Sequence, residues 1–306
     1  MKRASLSLVE YDASDEEETQ DPAPPPKKRK LPPLSTSLKV PAPIDNPALH
    51  QGRVRTHPHV DGQYAAHVYL SLRLKPRNAI YQLLREVISD AKKSVPALQE
   101  ICKLDEENNG FCKNTELHIS LSRPVYLRAH QREDFKREVM QIVKRHKPFP
   151  VSFAKFSELV NDEQTRTFLT MEIGAGHHEL QSIAVALTPI LRSLRQKEYY
   201  ENPRFHASVA WALLDRGSPQ LHVAGTQAEE SIFAVEPPDS NAPYPPAHGP
   251  GSEDSFPSVP HFPIDLVSRL NELYGEQLIS TKVGLFDAEH ITVKIGRDTF
   301  LWRMVG

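Results

Sequence analysis

Residues 204–214 read Arg-Phe-His-Ala-Ser-Val-Ala-Trp-Ala-Leu-Leu, and residues 116–123 read Glu-Leu-His-Ile-Ser-Leu-Ser-Arg. In a β-strand successive side chains point to opposite faces, so residues two apart share one face. Read as strands, the two stretches project His118 with Ser120 and His206 with Ser208. Ile119, Leu121, Ala207 and Val209 then face the other way, where they can pack into a core. Each strand thus presents an imidazole beside a hydroxyl, with an apolar back.

Outward from these strands the pattern alternates in type. AHVYLSLRL (66–74) reads as a strand, and Asn78 opens a helical run, AIYQLLREVISDAKKSV, that ends near Pro96. A second helix fits residues 129–146, where Phe135, Val139, Ile142 and Val143 recur at helical spacing. FAKFSEL and RTFLTMEI read as two strands joined by a polar turn containing Asn161 and Asp162. A third helix, LQSIAVALTPILRSLR, is expected to be interrupted or kinked at Pro189. After the His206 strand come a fourth helix, DLVSRLNELYGEQL, and three closing strands, KVGLFD, HITVKI and FLWRM. The mixed order and mostly short connections predict an α+β fold with two sheet-containing lobes. The two histidine strands each follow a helix or its loop, so they are expected at related places in a pseudo-symmetric pair.

Of 27 prolines, ten fall in residues 1–60 and nine in residues 236–263. Such stretches bury too little to fix a structure. A disordered tail is therefore expected over 1–59 and one two-lobed domain over 60–306, interrupted by a proline-rich insertion at about 225–263. The formal charge of -2 makes no case for nucleic acid by itself, so such a case must rest on local patches. Only two cysteines occur, Cys102 and Cys112, in a segment that reads as a loop, so neither a disulfide nor a four-ligand zinc site is expected. No apolar run approaches a membrane span, and a reducing intracellular compartment fits best. Lys27, Lys28, Arg29 and Lys30 follow three prolines that would hold a compact basic cluster extended for a nuclear import receptor. The alternative is a solvated charge run or a nonspecific RNA-binding tail.

Two histidine–serine pairs facing each other across a cleft suit in-line attack on an RNA phosphodiester. One neutral imidazole takes the 2′-hydroxyl proton and the other, as imidazolium, protonates the departing 5′-oxygen. The serines would donate to the non-bridging oxygens as negative charge builds there. This chemistry calls for no metal and no cofactor. The tripeptide is not unique to those strands, since His290 and Thr292 repeat it. There Glu289 replaces the apolar residue, Leu117 or Phe205, that precedes the other two histidines.

The longer context, Tyr-Tyr-Glu-Asn-Pro-Arg-Phe-His-Ala-Ser-Val-Ala-Trp at 199–211 together with Glu-Leu-His-Ile-Ser-Leu-Ser-Arg at 116–123, closely resembles the U6 small nuclear RNA phosphodiesterase family of two-histidine phosphoesterases. The resemblance runs over most of residues 60–235 and the closing segment, with the proline-rich stretches outside it. It implies the two-histidine phosphoesterase fold, in which antiparallel sheets line a central cleft with helices outside. It also implies a nuclear 3′-to-5′ exoribonuclease that trims the oligouridine tail of U6 RNA and leaves a 2′,3′-cyclic phosphate or a 3′-phosphate; the chain is expected to be a monomer. By position, His118 and His206 become the acid/base pair, Ser120 and Ser208 the phosphate binders, and Tyr200 a ring that stacks on a uracil. Which histidine is acid and which is base stays open.

Rival readings are a related phosphoesterase acting on cyclic nucleotides or 2′,5′-linked oligonucleotides, and a noncatalytic RNA-binding splicing factor that kept the fold. His57 with His59 and His177 with His178 lack the neighbours of a metal site. Gly174 and Gly176 read as a plain turn between a strand and a helix, and Trp211 and Trp302 as core.

Overall fold

In the computed structural model, residues 46–55, 60–102, 116–215 and 256–306 are described. Their elements run β1 (Gln63–Arg73), α1 (Ala79–Ser94), β2 (Gln99–Glu100), β3 (Glu116–Ser120), β4 (Val125–Arg128), α2 (Arg132–Lys144), β5 (Phe149–Val160), β6 (Arg166–Ile173), α3 (His177–Ser193), β7 (His206–Leu214), β8 (Ser258–Val259), α4 (Leu266–Ile279), β9 (Leu285–Ala288), β10 (His290–Ile295) and β11 (Asp298–Arg303). The main path of the sheet is β11-β10-β1-β3-β7-β6-β5-β9, with β2 and β8 beside β7 and β4 beside β1. Every pairing along that path is antiparallel.

The path divides evenly. Its two halves meet at one rung, Ile119 opposite Ala207, and four strands run outward on either side. This is the two-lobed α+β arrangement expected from the strand and helix order. Helices α1 and α4 pack on each other and on β7 and β5, whereas α2 packs on α3, β10 and β11. The chain therefore crosses between lobes directly after β1, because α1 covers the half that contains β7.

The helices bury single apolar stripes. In α1, Ile80, Leu83, Leu84, Val87, Ile88 and Ala91 recur at three- and four-residue steps and are all buried. Asn78 caps α1 through its carbonyl, which accepts from the amides of Tyr81 and Gln82; its side chain takes no part. At Pro189, where an interruption or a kink is expected, α3 is not interrupted and its helical residues run on to Ser193. Proline at that point removes one donor, and the residue four places back, Val185, is 62% exposed, so water can reach the carbonyl left over. Leu187 and Leu191 stay buried on the other side and hold the turn in place.

Several short elements lie outside the expected pattern. β2, β4 and β8 are two to four residues long, too short for alternation to show. β8 and the buried Phe262 fall inside the stretch read as an insertion, and residues 47–50 form a 3-10 helix inside the stretch read as a tail. Two left-handed residues, Gln51 and Gly52, follow that helix, and a Cβ on Gly52 would lie 2.5 Å from Leu213 Cδ1. The basic cluster Lys27–Lys30, His57, His59, Cys112 and residues 216–255 lie outside the described residues. Cys102 is buried, with its Sγ 3.6 Å from the Glu116 carbonyl oxygen. Among the described residues no helix is long and apolar enough to cross a membrane.

Candidate active site

At the junction of the halves, Ile119 and Ala207 are both fully buried and face each other across β3 and β7. They are the middle residues of the two His-x-Ser triplets. Alternation therefore puts His118 and Ser120 on the opposite face of β3, and His206 and Ser208 on the same face of β7. None of these four side chains is fully buried, and His118 is 40% exposed. The structure thus brings the two predicted pairs onto adjoining strands with one open face.

Cross-strand neighbours extend that face in both directions. On the β3 side, Tyr69 of β1 lies opposite Ser120 and Thr292 of β10, and His67 lies opposite Lys294. His67 Nε2 and Ser120 Oγ share a 3.0 Å hydrogen bond, and the Tyr69 ring stacks on His118 with centroids 3.9 Å apart. Burial pushes the His67 pKa from 6.5 down to about 4, assisted by His118 and Lys294. His118 is also lowered, first by burial; Glu116, 3.8 Å from its Nε2, pulls the other way, and Lys294 lowers it further. Neither His67 nor Tyr69 was singled out from sequence. The signal that finds them is the same alternation, His-x-Tyr on the strand that pairs with β3.

On the β7 side, Glu172 of β6 lies opposite His206, and Thr170 lies opposite Ser208. One strand further out, Lys155 and Ser157 of β5 continue the two rows. His206 Nδ1 donates to the Arg204 carbonyl at 2.6 Å, so the neutral ring carries its proton there and keeps the Nε2 lone pair free. Burial lowers the His206 pKa; the Arg204 carbonyl and Glu172 raise it, and the Arg204 guanidinium lowers it. Burial alone would push the Glu172 carboxyl up. The bonds from Arg204 and Ser157 and the charges of Arg204 and Lys155 outweigh it and hold the group below the usual carboxylate range.

Tyr200 sits in the segment before β7, 44% exposed, with its hydroxyl donating to Asp162 Oδ1 at 2.9 Å. The Arg123 guanidinium lies 4.0 Å over the ring and pairs with the same carboxylate at 2.6 Å. Tyr199 touches the Tyr200 ring edge-on and donates its own hydroxyl to the Ser120 carbonyl at 2.8 Å. Through Tyr199 the tyrosine pair is tied to β3.

The remaining candidates lie elsewhere. His290 and Thr292 are on β10, two strands from β3, and Thr292 is buried. His177 is bonded to the Pro203 carbonyl, and no group of three or more metal-ligating side chains occurs among the described residues. Gly176, at φ +87°, would set a Cβ 2.9 Å from the Pro150 carbonyl, which explains the glycine without a ligand. Trp211 is buried, and Trp302 stacks on Phe300.

U6 snRNA phosphodiesterase 1 of Xenopus laevis is 29% identical over 220 residues, covering 69% of this chain and 81% of the frog protein. The protein of the same name from Bos taurus is 29% identical over 188 residues, 61% of this chain and 64% of the bovine one. Among solved structures, Kluyveromyces marxianus Usb1 aligns over 78% of this chain and 98% of its own, with a TM-score of 0.46 and 14% identity. The model of the HVSL family, described as an uncharacterised conserved protein, matches residues 22–239, a span that includes both triplets and part of each proline-rich stretch. The chain therefore belongs to the HVSL family, and its curated relatives carry the name U6 snRNA phosphodiesterase 1.

Proposed function

We propose that this protein is a 3′-to-5′ exoribonuclease that trims the oligouridine tail of U6 small nuclear RNA, with His118 and His206 transferring protons and Ser120 and Ser208 holding the phosphate. The observation that carries the reading is the single rung between Ile119 and Ala207, which sets one imidazole and one hydroxyl from each half on the same open face. The names of the relatives supply the substrate.

In the proposed reaction the 2′-hydroxyl of the penultimate nucleotide attacks the phosphate that joins it to the last one. One neutral imidazole takes the hydroxyl proton, the phosphorus–5′-oxygen bond breaks, and the second imidazole, as imidazolium, protonates the leaving oxygen. The RNA keeps a 2′,3′-cyclic phosphate, which water can open to a 3′-phosphate at the same pair. In the free protein both histidines are held below their ordinary value, chiefly by burial. A bound phosphodiester favours protonation of one of them, since an anion nearby stabilises the imidazolium. The fixed Nδ1 proton of His206 aims its Nε2 at the substrate. Tyr200 offers a uracil the ring face that Arg123 does not cover. The Lys27–Lys30 cluster would bring the enzyme to the nucleus.

Substrate choice tests the reading. Incubated in EDTA, the protein is expected to shorten a 3′-oligouridine RNA from its 3′ end and to leave 2′,5′-linked oligonucleotides and cyclic nucleotides largely intact. Preferential turnover of those small substrates would assign it to another two-histidine activity. Binding of RNA without cleavage would make it a noncatalytic RNA-binding protein.

A further inference from the structure

We propose that Arg53 and Arg166, laid together over Trp211 at the far end of the β6–β7 ladder, form a phosphate-binding subsite for the RNA strand upstream of the bond that is cut. The inference rests on the exoribonuclease reading above.

The register sets the location. A β-bulge separates the Ser208–Thr170 pair from the Ala210–Leu169 pair, leaving Val209 without a partner on β6. The extra residue turns Trp211 to the side of Phe168, which shares its face of β6 with Thr170 and Glu172. The face that carries His206 and Ser208 thus continues past the bulge into Trp211, Phe168 and Arg166. At roughly 3.3 Å per strand residue, Arg166 lies about 13 Å beyond the Ser208 row and about 20 Å beyond the His206 row.

Two guanidiniums lie near one indole there. Arg166 Cζ is 5.3 Å from the Phe168 ring centre and 6.0 Å from that of Trp211, and Arg53 Cζ is 5.3 Å from Trp211. The left-handed turn at Gln51 and Gly52, wedged against Leu213 and Phe256, delivers Arg53 to this place. Its Nε donates to the His50 carbonyl, which leaves the terminal nitrogens free. Neither arginine forms an ion pair among the described residues. Burial and the neighbouring Arg53 charge both disfavour the Arg166 cation, with Glu163 the acidic group that opposes them. Two like charges gathered at one indole are a standing cost that a bound anion removes.

The chemistry of the cut says which anion. An enzyme that releases one terminal nucleotide at a time has only that nucleotide on the leaving side. A basic site some 13–20 Å away along the same face can therefore meet only the retained strand, whose phosphates arrive at regular spacing and fit bidentate guanidiniums.

The test is a salt titration of binding. In a His206→Ala background, the affinity for fluorescent oligouridine is measured between about 50 and 200 mM salt, and log Kd is plotted against log salt. Each of Arg53→Gln and Arg166→Gln is expected to reduce the slope by about 0.7, the value for one phosphate contact on a single strand, and to weaken binding of long more than of short oligouridine. Arg166→Lys is expected to keep the slope. Unchanged slopes in both glutamine variants, with a lowered melting temperature, would make the pair a cover for Trp211 and overturn the proposal while leaving the exoribonuclease reading in place. Failure of the parent protein to bind oligouridine at all would overturn both.

Discussion

His67 is a histidine that the fold keeps uncharged, and its consequence for acid stability can be worked through. Burial against Ser120, with His118 and Lys294 nearby, takes its pKa from 6.5 to about 4. A pKa that is lower in the folded than in the unfolded chain means that folding opposes protonation, so stability is complete above pH 6.5 and is lost as the pH falls towards 4. At about 1.4 kcal/mol per pH unit the full loss approaches about 3 kcal/mol, most of it incurred by about pH 4.5. The perturbation is His67→Gln, which keeps a polar side chain beside Ser120 but cannot titrate. Urea unfolding of the parent and the variant at about pH 7.5 and about pH 4.5 measures it. Acidic groups elsewhere titrate in both proteins and cancel. The parent is expected to lose about 2–3 kcal/mol more than the variant between the two conditions. Equal losses would show that His67 is not held neutral, and the account of how Ser120 is positioned would fall with it.

Two further outcomes concern the site. Glu172→Gln removes the carboxylate that raises the His206 pKa and leaves Arg204 unopposed, so the limb of the pH–rate profile belonging to His206 is expected to move to lower pH; an upward shift would refute the arrangement. Tyr200→Ala is expected to raise KM for oligouridine by the equivalent of about 1–3 kcal/mol, while Tyr200→Phe, which loses only the bond to Asp162, stays near the parent; steady-state kinetics on both variants decide whether the ring carries the effect.

Much of this was legible in the chain. The His-x-Ser strands, the helix over 79–94 and the Asn161 turn all announce themselves through local spacing, because alternation, helical period and turn chemistry are properties of neighbouring residues. Asn161 Oδ1, for example, accepts from the amides of Thr165 and Arg166, as its place between two apolar runs suggests. What stayed hidden depends on register between distant strands. His67 reaches Ser120 only because β1 pairs with β3 so that Tyr69 meets Ser120, and Glu172 reaches His206 only through the β6–β7 register. The bulge at Val209 reverses the face of everything after it, so Trp211 could not be placed by counting from His206. At Pro189 the local chemistry argues for an interruption or a kink, and α3 is not interrupted there, with Leu187 and Leu191 buried on either side.

The central claim is that His118 and His206 form one proton-transfer pair. Parent protein, His118→Ala and His206→Ala are each incubated in EDTA with an RNA bearing a 3′-oligouridine tail, and the rate and the chemical nature of the new 3′ ends are measured. The account predicts trimming by the parent with cyclic phosphate or 3′-phosphate ends, and a loss of about 10²- to 10⁴-fold in each variant. A variant that trims at nearly the parental rate would contradict it.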